Sequence, residues 1–81
     1  MDEFWDIMKS VADRLCKRRA YNCLFRFLPA YFAPNGLTDG WEQCRDTLKD
    51  TRALCRDDLT ENEKRDLHRA TNIIDRMLSN R

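Results

Sequence analysis

The sequence predicts an all-α protein, a small three- to four-helix bundle of antiparallel helical hairpins, and three observations carry that prediction. Pro29, Pro34, Gly36 and Gly40 are the only prolines and glycines among 81 residues, and all four lie in one window, residues 26 to 41, "RFLPAYFAPNGLTDGW". Everything outside that corner is free of helix breakers, which favours a few long helices over many strands. Apolar residues recur at spacings of three and four on both sides of the corner. Two segments, opening at Asp39 and at Thr60, begin with the residue spacing of a capping box. A chain of this length forms one domain, residues 1–81, with a core small enough that dimerisation often helps to stabilise it.

The first segment runs from about Asp2 to Leu28. Phe4, Met8, Val11 and Leu15 recur at spacings of four, three and four, which draws one stripe along a helix. Asp2, Glu3 and Asp6 fall in its first turn, where the helix dipole favours negative charge. Beyond "CKRRA" the stripe dissolves, and from residue 20 to residue 28 only Asn22 and Arg26 are polar. A helix that is apolar nearly all round belongs at the centre of a core or at a subunit interface. A break between Arg18 and Tyr21 would divide the segment into two helices, but no breaker residue forces it, so one helix and two helices both remain open.

Pro29 disfavours helical geometry at Leu28 and cannot donate to the helical ladder, so the helix is expected to kink or end there. "APNGLTDG" then reads as a turn, with Asn35-Gly36 supplying positive-φ geometry. Thr38 or Asp39 opens the next helix, and Asp39 with Glu42 has capping-box spacing. The second segment runs from about Gly40 to Arg56. Leu37, Trp41, Cys44, Leu48, Thr51 and Cys55 alternate spacings of four and three, with Leu59 following. Such a narrow seam packs antiparallel against a neighbour. Thr60 and Glu63 form the second capping-box pair, and the third segment follows from about Glu61 to Leu78. Its stripe is Leu67, Ala70, Ile74 and Met77, widened by Ile73 and Leu78. Arg76 and Arg81 lie at the end where cations suit the dipole.

The net charge of +1 exerts no global pull toward nucleic acid or membrane. "MDEFWDIMKS" lacks the basic and apolar regions of a signal peptide. The longest nearly apolar run, "AYNCLFRFLPAYFA", is shorter than the roughly 20 residues that span a bilayer. The expectation is a cytoplasmic protein without a membrane span.

The four cysteines admit three readings. The preferred one is small apolar core residues with free thiols. If oxidised, Cys16 facing Cys55 and Cys23 facing Cys44 would staple a helical hairpin, although the spacings of seven and eleven residues differ by roughly 6 Å along a helix axis. Zinc is the third, and the chain lacks the close cysteine pairs that clasp that metal. His68, the only histidine, lies beside the third stripe with no serine, cysteine or aspartate pattern that ties to it as a base. Phosphate-cradling glycine loops and paired-carboxylate motifs are missing from the sequence. Neither an enzyme, a cofactor nor a metal is expected.

Charge is uneven along the chain. From Lys9 to Arg26 there are six bases against one acid, and from Asp39 to Asp66 nine acids against six bases. "CKRRAYN" is therefore a basic flank that could meet phosphate through Lys17, Arg18 and Arg19, with Tyr21 available to stack. The same flank could instead meet an acidic partner protein or the acidic side of a second copy. A membrane-surface reading of "KRRAYNCLFRFLPAYF" is weaker, because its bases and apolar residues do not fall on opposite faces.

The stretch "DTLKDTRALCRDDLTENE" resembles the small nucleoid-modulator family of Hha and YmoA in its spacing, on Asp46, Thr47, Leu48, Leu59, Asn62 and Glu63. That resemblance implies an all-α adaptor that binds a DNA-organising protein. It is confined to the C-terminal part: the N-terminal half does not match, and the helix after Glu63 departs from the family's charged pattern.

The function expected from the sequence is a small non-enzymatic protein–protein interaction module, an adaptor, inhibitor or regulator. Its docking surface is expected to be aromatic and basic, formed by Arg18, Arg19, Arg26, Tyr31, Phe32 and Trp41. It rests on more large apolar residues than one face of each helix can hide, which also favours a homodimer. The alternative is a nucleic-acid-binding regulator acting through Lys17–Arg19. A third class, an enzyme with a reactive cysteine, requires a thiol of unusually low pKa.

Overall fold

The computed structural model describes residues 2–33 and 38–79. Four helices follow one another: α1 (Asp2–Lys17), α2 (Tyr21–Phe32), α3 (Thr38–Leu54) and α4 (Glu61–Ser79). Among the described residues there is no strand. The helices form a small bundle of 37 × 21 × 19 Å. Their backbones pack as a ring, α1 on α2, α2 on α3, α3 on α4 and α4 on α1, and across the α1–α3 diagonal Trp41 reaches Phe4 and Trp5 by its ring alone.

Pairing residues fix the directions. Trp5 of α1 meets Tyr31 near the end of α2, and Arg45 and Arg52 of α3 meet Asp75 and His68 of α4. On the closing side, Glu3 pairs with Arg69 and Arg14 with Asp66. In the α3–α4 and α4–α1 pairs one number rises as the other falls, the start of α1 meets the end of α2, and the start of α2 lies beside the end of α3, so neighbours around the ring run antiparallel.

The first segment is two helices, and the break is made without a glycine. Arg19 takes the left-handed conformation, with φ of 58°. The Ala20 N–H reaches back to the Leu15 carbonyl at 2.8 Å and the Arg19 N–H to the Cys16 carbonyl at 3.1 Å. This is the Schellman closure of a helix end, with arginine where glycine is usual. Left-handed geometry costs a residue with a Cβ about 1 kcal/mol.

Of the two outcomes expected at Pro29, a kink or an end, the helix does not end there. α2 continues through Pro29 to Phe32. Pro29 and Phe25 are both exposed, so the Phe25 carbonyl that loses its partner lies on the solvent side of the helix. The Asn35-Gly36 turn and Leu37 lie outside the described residues.

The stripes converge on one core. Phe4, Met8, Val11 and Leu15 come from α1, Cys23, Phe27 and Ala30 from α2, Cys44 and Leu48 from α3, and Leu67, Ala70 and Ile74 from α4. Thr51 and Thr71 are buried in the same core, and each hydroxyl donates to the carbonyl four residues earlier, at 2.8 Å. That bond lets a polar side chain sit in an apolar setting at little cost. Met77, Ile73 and Leu78 are only half-buried. The capping box expected at Thr60 is present in both directions: the Thr60 N–H donates to Glu63 Oε1 at 3.0 Å, and the Glu63 N–H to Thr60 Oγ1 at 3.1 Å.

Candidate functional site

The largest apolar exposure lies on the outer face of α2. Tyr21, Phe25 and Phe32 are 47%, 67% and 74% exposed, and Leu54 at the end of α3 is 65% exposed. Positions 21, 25 and 32 share one helical face. The opposite face carries the buried Cys23, Phe27 and Ala30. This explains the nearly unbroken apolar sequence of the helix: one face fills the core and the other is left in water. With roughly 200 Å² for a whole aromatic side chain, the three rings expose roughly 400 Å². Phe25 and Leu54 line a shallow groove between α2 and the end of α3, with Arg26 and Asp58 at its rim.

The six residues expected to form one docking surface separate into three places. Phe32 and Arg26 are exposed on α2, and the Phe32 ring lies 5.4 Å from that of Tyr31. Tyr31 itself is half-buried, edge-on to Trp5 at 5.7 Å. Trp41 is half-buried at the same end of the core, 5.5 Å from Phe4 and 6.2 Å from Trp5. Trp5 is thus the middle of an aromatic lid, a role its position beside the α1 stripe did not announce. Arg19 is exposed at the helix break.

Arg18 is engaged inside the protein. Its Nε and Nη2 donate to the two carboxylate oxygens of Glu63 at 3.1 and 2.5 Å, and Nη2 also donates to the Asp58 carbonyl at 2.7 Å. Glu63 is only 1% exposed. Burial pushes its carboxyl upward, but the Arg18 guanidinium and the Thr60 bonds outweigh burial and hold it below the usual glutamate range. The hydrogen bond to Glu63 in turn raises Arg18. In the basic flank this leaves Lys17, loosely paired with Asp13 at 4.0 Å, and Arg19 facing solvent.

All four cysteines are free. Cys23, Cys44 and Cys55 are buried as expected, whereas Cys16 is exposed rather than part of the core. Burial pushes the Cys23 thiol up to about 12, and a hydrogen bond with Cys55 adds to that shift. Burial alone pushes Cys44 up to about 12. These two thiols are held away from the nucleophilic thiolate form. The neighbour of Cys23 is Cys55, not the Cys44 considered from spacing.

His68 is exposed, and its Nδ1 lies 2.8 Å from Arg52 Nη1. A guanidinium has no acceptor, so Nδ1 accepts this bond. Among the described residues no cluster of three or more histidine, cysteine or acidic side chains could hold a metal ion, and no helix is long and apolar enough to cross a membrane.

Leu54 and Phe25 were legible only in part. Phe25 stood in the nearly unbroken apolar run from residue 20 to residue 28, but nothing in the sequence tied it to Leu54, which lies 29 residues on. Comparison with known protein families, with curated proteins and with solved structures finds no match to this chain.

Proposed function

We propose that this chain is a small non-enzymatic protein–protein interaction module, an adaptor, inhibitor or regulator, that docks through the outer face of α2. The single observation behind this reading is the row of exposed rings, Tyr21, Phe25 and Phe32, continued across the groove by Leu54. A patch of roughly 400 Å² falls in the range in which the largest patch of a monomer is often functional. Aromatic residues flanked by arginine are frequent anchors at interfaces, and Arg19 and Arg26 flank this face.

Without another partner, the same face pairs two copies of the chain. Two such patches bury roughly 800 Å² of apolar surface, and the polar rim brings the total to the roughly 1,200 Å² at the low end of stable interfaces. The free thiols suit a cytoplasmic setting.

Sedimentation equilibrium at micromolar concentration tests the pairing. The wild type should sediment as a dimer and Phe25→Asp/Phe32→Asp as a 9.7 kDa monomer. A wild-type monomer throughout would remove the homodimer. For the partner, a photo-crosslinking residue at position 25, compared with one at exposed Asn72 on α4, should yield a discrete adduct in host cells only from position 25. Identical products from both positions would refute α2 as the docking face.

A further inference from the structure

We infer that the groove between α3 and α4 binds a compact polyphosphate anion. The groove has a volume of about 500 Å³ and is lined by Lys49, Arg52, Arg56, Lys64, Arg65 and His68. Its only acid is Glu61, which pairs with Lys64 at 3.5 Å. This inference is independent of the α2 face.

The charge arrangement here differs from the rest of the surface. Elsewhere Arg14, Arg18, Arg45 and Arg69 are answered by Asp66, Glu63, Asp75 and Glu3, while Arg19, Arg26 and Arg76, without such partners among the described residues, are placed singly at the helix break, on α2 and near the end of α4. Among the described residues, Lys49, Arg52, Arg56 and Arg65 have no carboxylate within 4.0 Å. Four unanswered cations lie in one groove of a chain whose net charge is only +1. They are brought together from two helices. Lys49, Arg52 and Arg56 follow one line on and just beyond α3, and Arg65 joins them from α4, where His68 lies across from Arg52. Of the six bases in the segment from Asp39 to Asp66, which is acidic on balance, five line this groove beside one of its nine acids.

Arg52 and His68 hold the middle of the groove in contact with no acid between them. An anion seated there accepts from the guanidinium groups of Arg52, Arg56 and Arg65 and from the ammonium groups of Lys49 and Lys64, which together make a multidentate phosphate donor set. From Lys49 to Arg56 the cations span about 10 Å along the helix, enough for more than one phosphoryl group. The volume lies within the usual range for small-molecule sites. The lining holds no phenylalanine, tyrosine or tryptophan, and Ala53 is its one apolar member. A single-stranded nucleic acid normally finds aromatic platforms for its bases, so the groove suits the phosphates alone. A free polyphosphate and the tail of a nucleoside triphosphate both present that chemistry.

Calorimetric titration of the full chain at low salt tests the inference. Inorganic triphosphate should bind about tenfold tighter than orthophosphate, and Arg52→Gln/Arg56→Gln should weaken it by about tenfold or more. Both side chains are exposed and without carboxylate partners, so thermal unfolding should be unchanged. Lys9→Gln/Arg76→Gln removes the same charge from other exposed positions and should change affinity by no more than about twofold. ATP binding as tightly as triphosphate supports the phosphate chain as the whole determinant. ATP binding about tenfold tighter supports it with a nucleotide as the source. No binding of triphosphate, or equal losses in the two double variants, overturns the inference. So does a short DNA duplex that binds more tightly than triphosphate and is lost with Arg52 and Arg56, which would make the groove a nucleic-acid surface.

Discussion

Replacing Arg18 with alanine strips Glu63 of its cation while leaving the carboxylate in place. Glu63 is 1% exposed and accepts from Arg18 Nε, Arg18 Nη2 and the Thr60 N–H. Breaking a buried ion pair from one side costs about 3–5 kcal/mol, because the other charge remains buried. The Arg18 side chain is 36% exposed, so water reaches the vacated place and the cost is discounted toward surface values. The Thr60 bond also remains. The expected loss is therefore about 2 kcal/mol, out of roughly 4–12 kcal/mol for a chain this size. In thermal unfolding that is a fall of roughly 8–16 °C. Urea unfolding followed by far-UV circular dichroism at neutral pH measures it directly. Arg18→Ala/Glu63→Gln should regain about 1 kcal/mol over Arg18→Ala, since no uncompensated charge is left. The pH dependence has a definite sign. The wild-type pair holds the Glu63 carboxyl low, so its contribution is complete above the ordinary glutamate pKa of about 4.3 and is lost as pH falls through the lower folded value. In Arg18→Ala burial acts unopposed by the guanidinium, Glu63 takes up its proton at higher pH, and the gap to wild type narrows on acidification. A loss under about 0.5 kcal/mol, or a double variant no more stable than the single one, would refute the reasoning.

Other consequences can be measured on the same protein. Arg19→Gly should raise stability by about 1 kcal/mol in urea unfolding, because glycine enters the left-handed region without a Cβ penalty. Pro29→Ala should restore the bond to the Phe25 carbonyl and relieve the ring clash, raising stability by about 1–3 kcal/mol; an unchanged midpoint would show that α2 already absorbs the proline. In alkylation of the native protein Cys16 should react first, with Cys23, Cys44 and Cys55 protected until unfolding. Under mild oxidation the intramolecular disulfide should join Cys23 to Cys55, which peptide mapping distinguishes from a Cys23–Cys44 link.

Helix periodicity was enough to place most of the core. Phe4, Met8, Val11 and Leu15, or Leu67, Ala70 and Ile74, are legible because burial repeats with the helical period. The Thr60–Glu63 capping box is legible for a similar reason: both partners lie within one turn. The α1–α2 break was only half legible, since arginine carries no local signal for left-handed geometry and the Leu15 and Cys16 carbonyls that stabilise it are satisfied only once the chain has turned. At Pro29 the sequence left a kink and an end both open, and the helix continues because the packing of Phe27 and Ala30 into the core holds it on both sides of the proline. Arg18 looked like a surface base for the same reason that Glu63 looked like a mere cap. Their pairing spans 45 residues and has no trace in local spacing. The α3–α4 groove was hidden by counting, because a segment's summed charge says nothing about which side of a helix each charge takes.

The ring of contacts bears on how the protein opens. A helix at the end of a linear stack can detach and uncover one neighbour, but here every helix covers two. Loosening α4 wets the core faces of both α1 and α3, and loosening α2 does the same to α1 and α3 from the other side. Partial opening therefore exposes nearly as much apolar surface as complete opening. Amide protons across the core turns of all four helices should exchange through a single global event, with similar protection, rather than in helix-by-helix steps.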